Sequence, residues 1–187
     1  QPFDTSGKSR VDWKDSTIRK WLNDDFYNSA FSEKEKENIV ESKSEGFEEY
    51  NTSMNLTGGG KPYAYLEREI EDKVFLLSNT ELCAYFSEDP YPGCYSDPYA
   101  HKELLCYPTA YAKQQLETRY QTETCGWWLC NHVYEDDSVE LVSAYGQGSG
   151  TSRENIKANT KSIAVRPAMW VTWQSDMEMV EANQQVE

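Results

Sequence analysis

Two short apolar blocks in the last third of the chain, Gly126-Trp127-Trp128-Leu129-Cys130 and Ile163-Ala164-Val165-Arg166-Pro167-Ala168-Met169-Trp170-Val171, are set in polar, loop-like sequence. Both are too short for stable isolated helices and rich enough in aromatic and β-branched residues to be buried strands. Side chains on a strand alternate between its faces, so Trp127 and Trp128 point in opposite directions. One indole is expected in the core and the other against a loop layer or a ligand. These blocks place a sheet in the C-terminal half and name no reaction.

The 187 residues suit one domain with a sizeable core. With 18 basic and 32 acidic residues the formal charge is −14, and the bases are interspersed with acids throughout. Such a surface repels polyanions, so neither nucleic acid nor an anionic membrane is an expected partner. Membrane insertion is not expected either, because no apolar run approaches the roughly 20 residues that span a bilayer. The chain starts at Gln1 rather than Met, as in a processed product from which any secretion signal has gone.

Five cysteines, Cys83, Cys94, Cys106, Cys125 and Cys130, leave at least one unpaired within the chain. There is no Cys-x-x-Cys, and His101 and His132 are the two histidines, so a four-ligand zinc site is not expected. In an oxidising compartment a disulfide among Cys83, Cys94 and Cys106 fits the sequence, with the pairing open.

Along the chain, Asp15-Ser16 precedes Ile18, Trp21, Leu22 and Phe26, the spacing of a capped amphipathic helix. Ser32 to Glu35 has capping-box form and predicts a short helix towards Val40. Residues 33 to 72, with Gly58-Gly59-Gly60 inside, read as a polar excursion. Val74 to Leu77 reads as a buried strand, and Ser78 to Glu81 as a second capping box opening a short helix. Residues 89 to 99 are turn-rich, and Pro108 suits the first turn of a helix over Thr109 to Gln115. Three strands are predicted at the end: Trp127 to Cys130, Val139 to Tyr145, and Ile163 to Trp173. The fold class is α+β, with short helices in the N-terminal half and a small antiparallel sheet in the C-terminal half. Residues 1–173 form the expected single domain, and 174–187 an acidic tail.

Several segments, taken in order, carry a resemblance: Trp13-x-x-Ser16-Thr17-Ile18-Arg19-Lys20-Trp21-Leu22-Asn23, Phe26-Tyr27-x-x-Ala30-Phe31-Ser32, Asp72-Lys73-Val74-Phe75-Leu76-Leu77-Ser78, Pro108-Thr109-x-Tyr111-Ala112, Trp127-Trp128-Leu129 and Val165-Arg166-Pro167-Ala168. Over residues 13 to 173 the chain resembles a family of uncharacterised domains from secreted and surface proteins of Gram-positive, often gut-dwelling, bacteria. Its signature runs roughly W-x-x-S-x-[LI]-R-x-W-L-N, D-K-[IV]-F-L-L-S, W-W-L-R-S and G-V-R-P-A-[LI]. Cys130 stands where the family has Arg, so any role of that Arg is lost. The resemblance also implies one or two strands upstream of residue 1, whose absence would leave a sheet edge open. By analogy the plan looks like the C-type-lectin and sulfatase-modifying-factor folds, and it implies a secreted or cell-surface location. The family carries no established activity.

The expected function is a non-catalytic recognition module that binds glycan or protein ligands at a loop face. Trp127 or Trp128, Tyr134, Tyr145 and Arg153 lie near predicted loop edges, where a ring can stack on a sugar or a peptide. Trp21 and Trp170 are expected to be structural. Arg166, beside a proline that no central strand accommodates, is expected as a buried partner of a carboxylate or of loop carbonyls. A metal-dependent enzyme of the sulfatase-modifying type is the alternative, resting on Cys125 and Cys130 as soft-metal ligands. A third reading is a structural spacer within a larger surface protein. No catalytic residue or resident metal is expected, and no cofactor beyond calcium at Glu135-Asp136-Asp137, whose oxygens are of the right type but lack a dedicated loop pattern. Gly58-Gly59-Gly60-Lys61 lacks the frame of a phosphate loop.

Overall fold

Ser16 sets where the first helix begins. Its backbone is extended and its hydroxyl accepts the Arg19 N–H at 3.3 Å, the N-cap arrangement expected from the sequence. A computed structural model of the chain describes residues 1–8, 11–42, 70–86, 102–115, 123–132, 138–147 and 156–172. From the cap, α1 (Thr17–Trp21) passes through a π-helical turn (Leu22–Phe26) into α2 (Tyr27–Ala30). Ile18 and Leu22 face the core and are fully buried, as their spacing predicts. Trp21 is half-buried and packs on Phe26 at 5.2 Å between ring centroids, a structural role of the kind expected for it.

Ser32 and Glu35 form the reciprocal capping box and open α3 (Glu33–Lys36). The helix stops after one turn instead of running to Val40. Ile39–Val40 is β1, paired antiparallel with β4 (Trp170–Val171) in the register Ile39–Val171 and Val40–Trp170. Two β-branched residues in sequence favour an extended chain, and β4 supplies the partner.

Val74 to Leu77 is extended and largely buried, but it is no ladder strand. Its one rung is the Phe75–Ala168 pair, with N–H to carbonyl distances of 2.9 and 2.8 Å. Before that rung, Asn23 stands in for a neighbouring strand. Its amide oxygen accepts from Lys73 N–H and Val74 N–H at 2.8 and 3.1 Å, and its amide nitrogen donates to the Val74 carbonyl at 2.8 Å. Asp72 completes the lock, accepting from the Trp13 indole N–H at 2.9 Å and the Arg19 Nε–H at 2.8 Å. Ser78 and Glu81 form the second capping box and open α4 (Asn79–Phe86). Thr109 caps α5 (Ala110–Gln115) through a bond from Ala112 N–H, so Pro108 sits one residue before the cap, outside the first turn.

β2 (Trp127–His132) and β3 (Val139–Val142) pair antiparallel, with a bulge between Trp128 and His132. On the side of β2 away from β3, the Trp128 N–H donates to the Ala164 carbonyl and the Cys130 N–H to the Leu77 carbonyl, each at 3.1 Å. The expected strand over Ile163 to Trp173 divides into three. Ala164 makes a parallel bridge to Trp127, Ala168 pairs with Phe75, and Trp170–Val171 joins β1. Pro167 has no N–H to continue a ladder, and it falls where the chain changes partner.

β2 divides the core. Trp128 and Cys130 point into one cluster with Phe3, Ile18, Leu22 and Val74, while Trp127 and Leu129 point into a second with Leu82, Leu104 and Val142. Phe3 seats its ring against both Trp13 and Trp128, at 6.1 and 6.0 Å. The alternation read from sequence holds, yet the expectation of one outward indole is corrected. Both faces of β2 are covered, and both rings are fully buried. The architecture is α+β, with small antiparallel sheets whose main strands lie in the C-terminal half. Among the described residues no helix is long and apolar enough to cross a membrane. The Gly58–Gly60 run, the Asp89–Tyr99 turns and the 174–187 tail lie outside the described residues.

Candidate functional site

The pairing of β1 with β4 leaves an apolar surface uncovered. Val40 and Trp170 are directly opposed in the register, and Val171 follows on β4. Trp170 is 49% exposed and Tyr85, from the last turn of α4, is 47% exposed. Their rings meet edge to face, 6.2 Å apart at an interplanar angle of 80°. Edge-to-face contact orients each ring through the other, so a solvent-facing pair is held in a defined geometry. Val40, directly opposed to Trp170 and so on the same face, is exposed as well and extends the patch, while Val171 is exposed on the other face. Trp170, which the sequence places in a buried strand, is therefore a half-exposed surface residue. Residue type alone does not reveal this, because exposure depends on what covers a two-residue strand.

The other site residues expected from sequence are distributed differently. Trp127 donates its indole N–H to the Leu104 carbonyl at 3.0 Å, and Trp128 donates to the Gln1 carbonyl at 3.1 Å. Neither ring offers a stacking face to solvent. Tyr145 is 64% exposed, on a turn where the Ser143 hydroxyl accepts from both Tyr145 and Gln147 N–H at 3.2 Å. Gly146 supplies the positive φ of 75° that this turn needs. Tyr134, Arg153, His101 and the Glu135–Asp137 turn lie outside the described residues.

Arg166 finds a loop carbonyl and aromatic rings, with no carboxylate partner among the described residues. Its Nη1–H donates to the Glu103 carbonyl at 3.4 Å, and its guanidinium lies 4.9 Å from the Trp127 centroid and 5.9 Å from Phe86. The structure thus brings Arg166 and Trp127 together, tying the 102–104 turn to β2.

The thiols proposed as joint soft-metal ligands are kept apart. Cys130 belongs to the first core cluster and Cys125 to the second, on opposite sides of β2. Burial pushes the Cys130 thiol well up, helped by the carboxylates of Glu81 and Glu140, which makes it an inert core group. Burial likewise raises Asp72 and Glu81, against the hydrogen bonds that each accepts. Cys125 instead faces Cys106, a pairing that spacing did not suggest. Among the described residues no group of three or more His, Cys, Asp or Glu is placed to hold a metal ion. An open groove of about 500 Å³ beside the start of α1 is lined by Lys14, Arg19, Lys20, Glu71 and Asp72. Two of these, Arg19 and Asp72, are paired with each other.

A family model described as "Domain of unknown function (DUF6273)" matches residues 1–173. No curated protein and no solved structure matches the chain.

Proposed function

The chain belongs to the DUF6273 family, and from that footing we propose that it is a non-catalytic recognition module binding glycan or protein ligands. The contact surface is the Trp170–Tyr85 face, with Val40 beside it. The observation that carries this reading is the exposed edge-to-face ring pair on the β1–β4 sheet. A monomeric domain gains nothing in stability from leaving an indole half in water. A ligand that covers it removes apolar area worth about 25 cal/mol per Å². Rings of this kind stack on the apolar face of a sugar or take an apolar peptide side chain. The formal charge of −14 disfavours anionic ligands, leaving neutral glycans and neutral or basic peptides as the favoured classes.

The finer attribution follows the resemblance set out above. On this reading the domain has a C-type-lectin-like arrangement and is displayed on, or secreted from, a Gram-positive gut bacterium. Screening it on a glycan array and a peptide array separates the two ligand classes. Trp170→Ala is expected to lower affinity at least about tenfold, as aromatic hot spots do, with the melting temperature nearly unchanged. Trp128→Ala is expected to unfold the domain, since truncating a buried Trp costs about 3–5 kcal/mol. Full binding by Trp170→Ala would refute this assignment of the contact face, and silence on both arrays would favour the spacer reading.

A further inference from the structure

Cys106 and Cys125 are directly opposed in an isolated antiparallel bridge, with the Cys125 N–H donating to the Cys106 carbonyl at 2.8 Å. Opposed residues of an antiparallel pair carry their side chains on the same face, with Cα atoms about 4.5 or about 5.5 Å apart. Both spacings lie inside the span of about 4.4–6.8 Å that a disulfide bridges. Both thiols are free; Cys125 is buried and Cys106 is partly exposed. The Cys125 thiol donates to the Cys106 carbonyl at 3.5 Å. Arg166 adds a cation to the same corner, held over Trp127 of the cluster to which Cys125 belongs.

From this geometry we infer that Cys106 and Cys125 are a redox-active dithiol that closes to an intrachain disulfide on meeting a small-molecule disulfide. Cys106 is the attacking sulfur, because it is the exposed one. The hydrogen bond from Cys125, followed by the charge of Arg166, brings the Cys106 thiol down to about 7, while the same contact raises Cys125. A thiol titrating near ambient pH is the favoured nucleophile for exchange.

The Cys106 thiolate bonds to one sulfur of the incoming disulfide and expels the other as a thiolate, which takes up a proton. Cys125 then loses its proton and attacks the Cys106 sulfur of the mixed disulfide, expelling the second small thiol. The protein gives up two electrons and two protons, and one external disulfide becomes two thiols. The product closes the 106–125 loop and fixes the chain leading into β2. The oxidant required is an ordinary low-molecular-weight disulfide.

The experiment adds oxidised glutathione to the reduced full chain, blocks the remaining thiols, and maps peptides without reduction. The expected major product links Cys106 to Cys125, with two thiols lost and two equivalents of glutathione released. Closing a loop of this size is expected to raise the melting temperature by roughly 5 °C or more. Cys125→Ser is expected to stop at the Cys106–glutathione mixed disulfide. Arg166→Gln is expected to slow the first exchange several-fold at pH 7 and little at pH 9, where the thiolate forms without help. A lasting mixed disulfide in the parent chain, a link from Cys106 to Cys83 or Cys94 as the main product, or an unreacted Cys106 would each overturn the inference. The mapping on the parent chain stands even if a variant fails to fold.

Discussion

At the residue scale, Asn23 and Asp72 do work usually left to longer elements. Asn23 replaces a strand partner for residues 73–74, and Asp72 joins the Trp13 indole to the Arg19 guanidinium. Asp72 accepts directional bonds from both partners. Burial raises its folded-state pKa above the ordinary carboxylate value, and the Trp13 and Arg19 contacts offset this only in part. The protonated form is therefore the one that folding favours. Its contribution is fully present below the unfolded value near 3.8 and is lost as pH rises through the folded value. Asp72→Asn keeps an acceptor for Trp13 and removes this titration. Urea unfolding of both proteins from acid to neutral pH is expected to show the balance moving towards the variant as pH rises. A difference independent of pH would contradict the assignment.

At the element scale, the helix starts were legible and the strand ends were not. Ser16, Ser32 and Ser78 each cap a helix through a partner three residues on, so the signal is complete within four residues. The alternation of Trp127 and Trp128 is equally local. The break-up of Ile163 to Trp173 was hidden, because Ala164, Ala168 and Trp170 each answer to a different, distant partner. The Cys106–Cys125 opposition was hidden for the same reason. Gly126 shows how closely β2 and the end of β3 approach. A Cβ there would lie 3.0 Å from the Val142 carbonyl oxygen and 3.6 Å from the Ala144 nitrogen, both backbone atoms of the partner chain segment. Gly126→Ala is expected to cost about 1–3 kcal/mol, as overpacking does, read as a lower urea midpoint at unchanged slope.

At the scale of the whole molecule, 32 acids against 18 bases make self-repulsion a general load on the folded state. Among the described residues Lys36–Glu33 is a local ion pair, and Arg19–Asp72 joins segments 53 residues apart. Raising sodium chloride from about 0.01 M to about 1 M shortens the screening length from about 30 to about 3 Å, so the melting temperature is expected to rise by several degrees. A fall would mean that specific pairs outweigh the net field.

The amino-acid order alone determined the helix caps, the two-faced β2 strand, the α+β class and the acidic surface. Each of these follows from interactions within a few residues or from a sum over all of them. Only the tertiary structure decided which tryptophans are buried, where the terminal apolar block changes partner, and which cysteines face each other. A side chain's exposure and its cross-chain neighbour are set by how distant segments pack, and no local stretch carries the energy that selects among those packings.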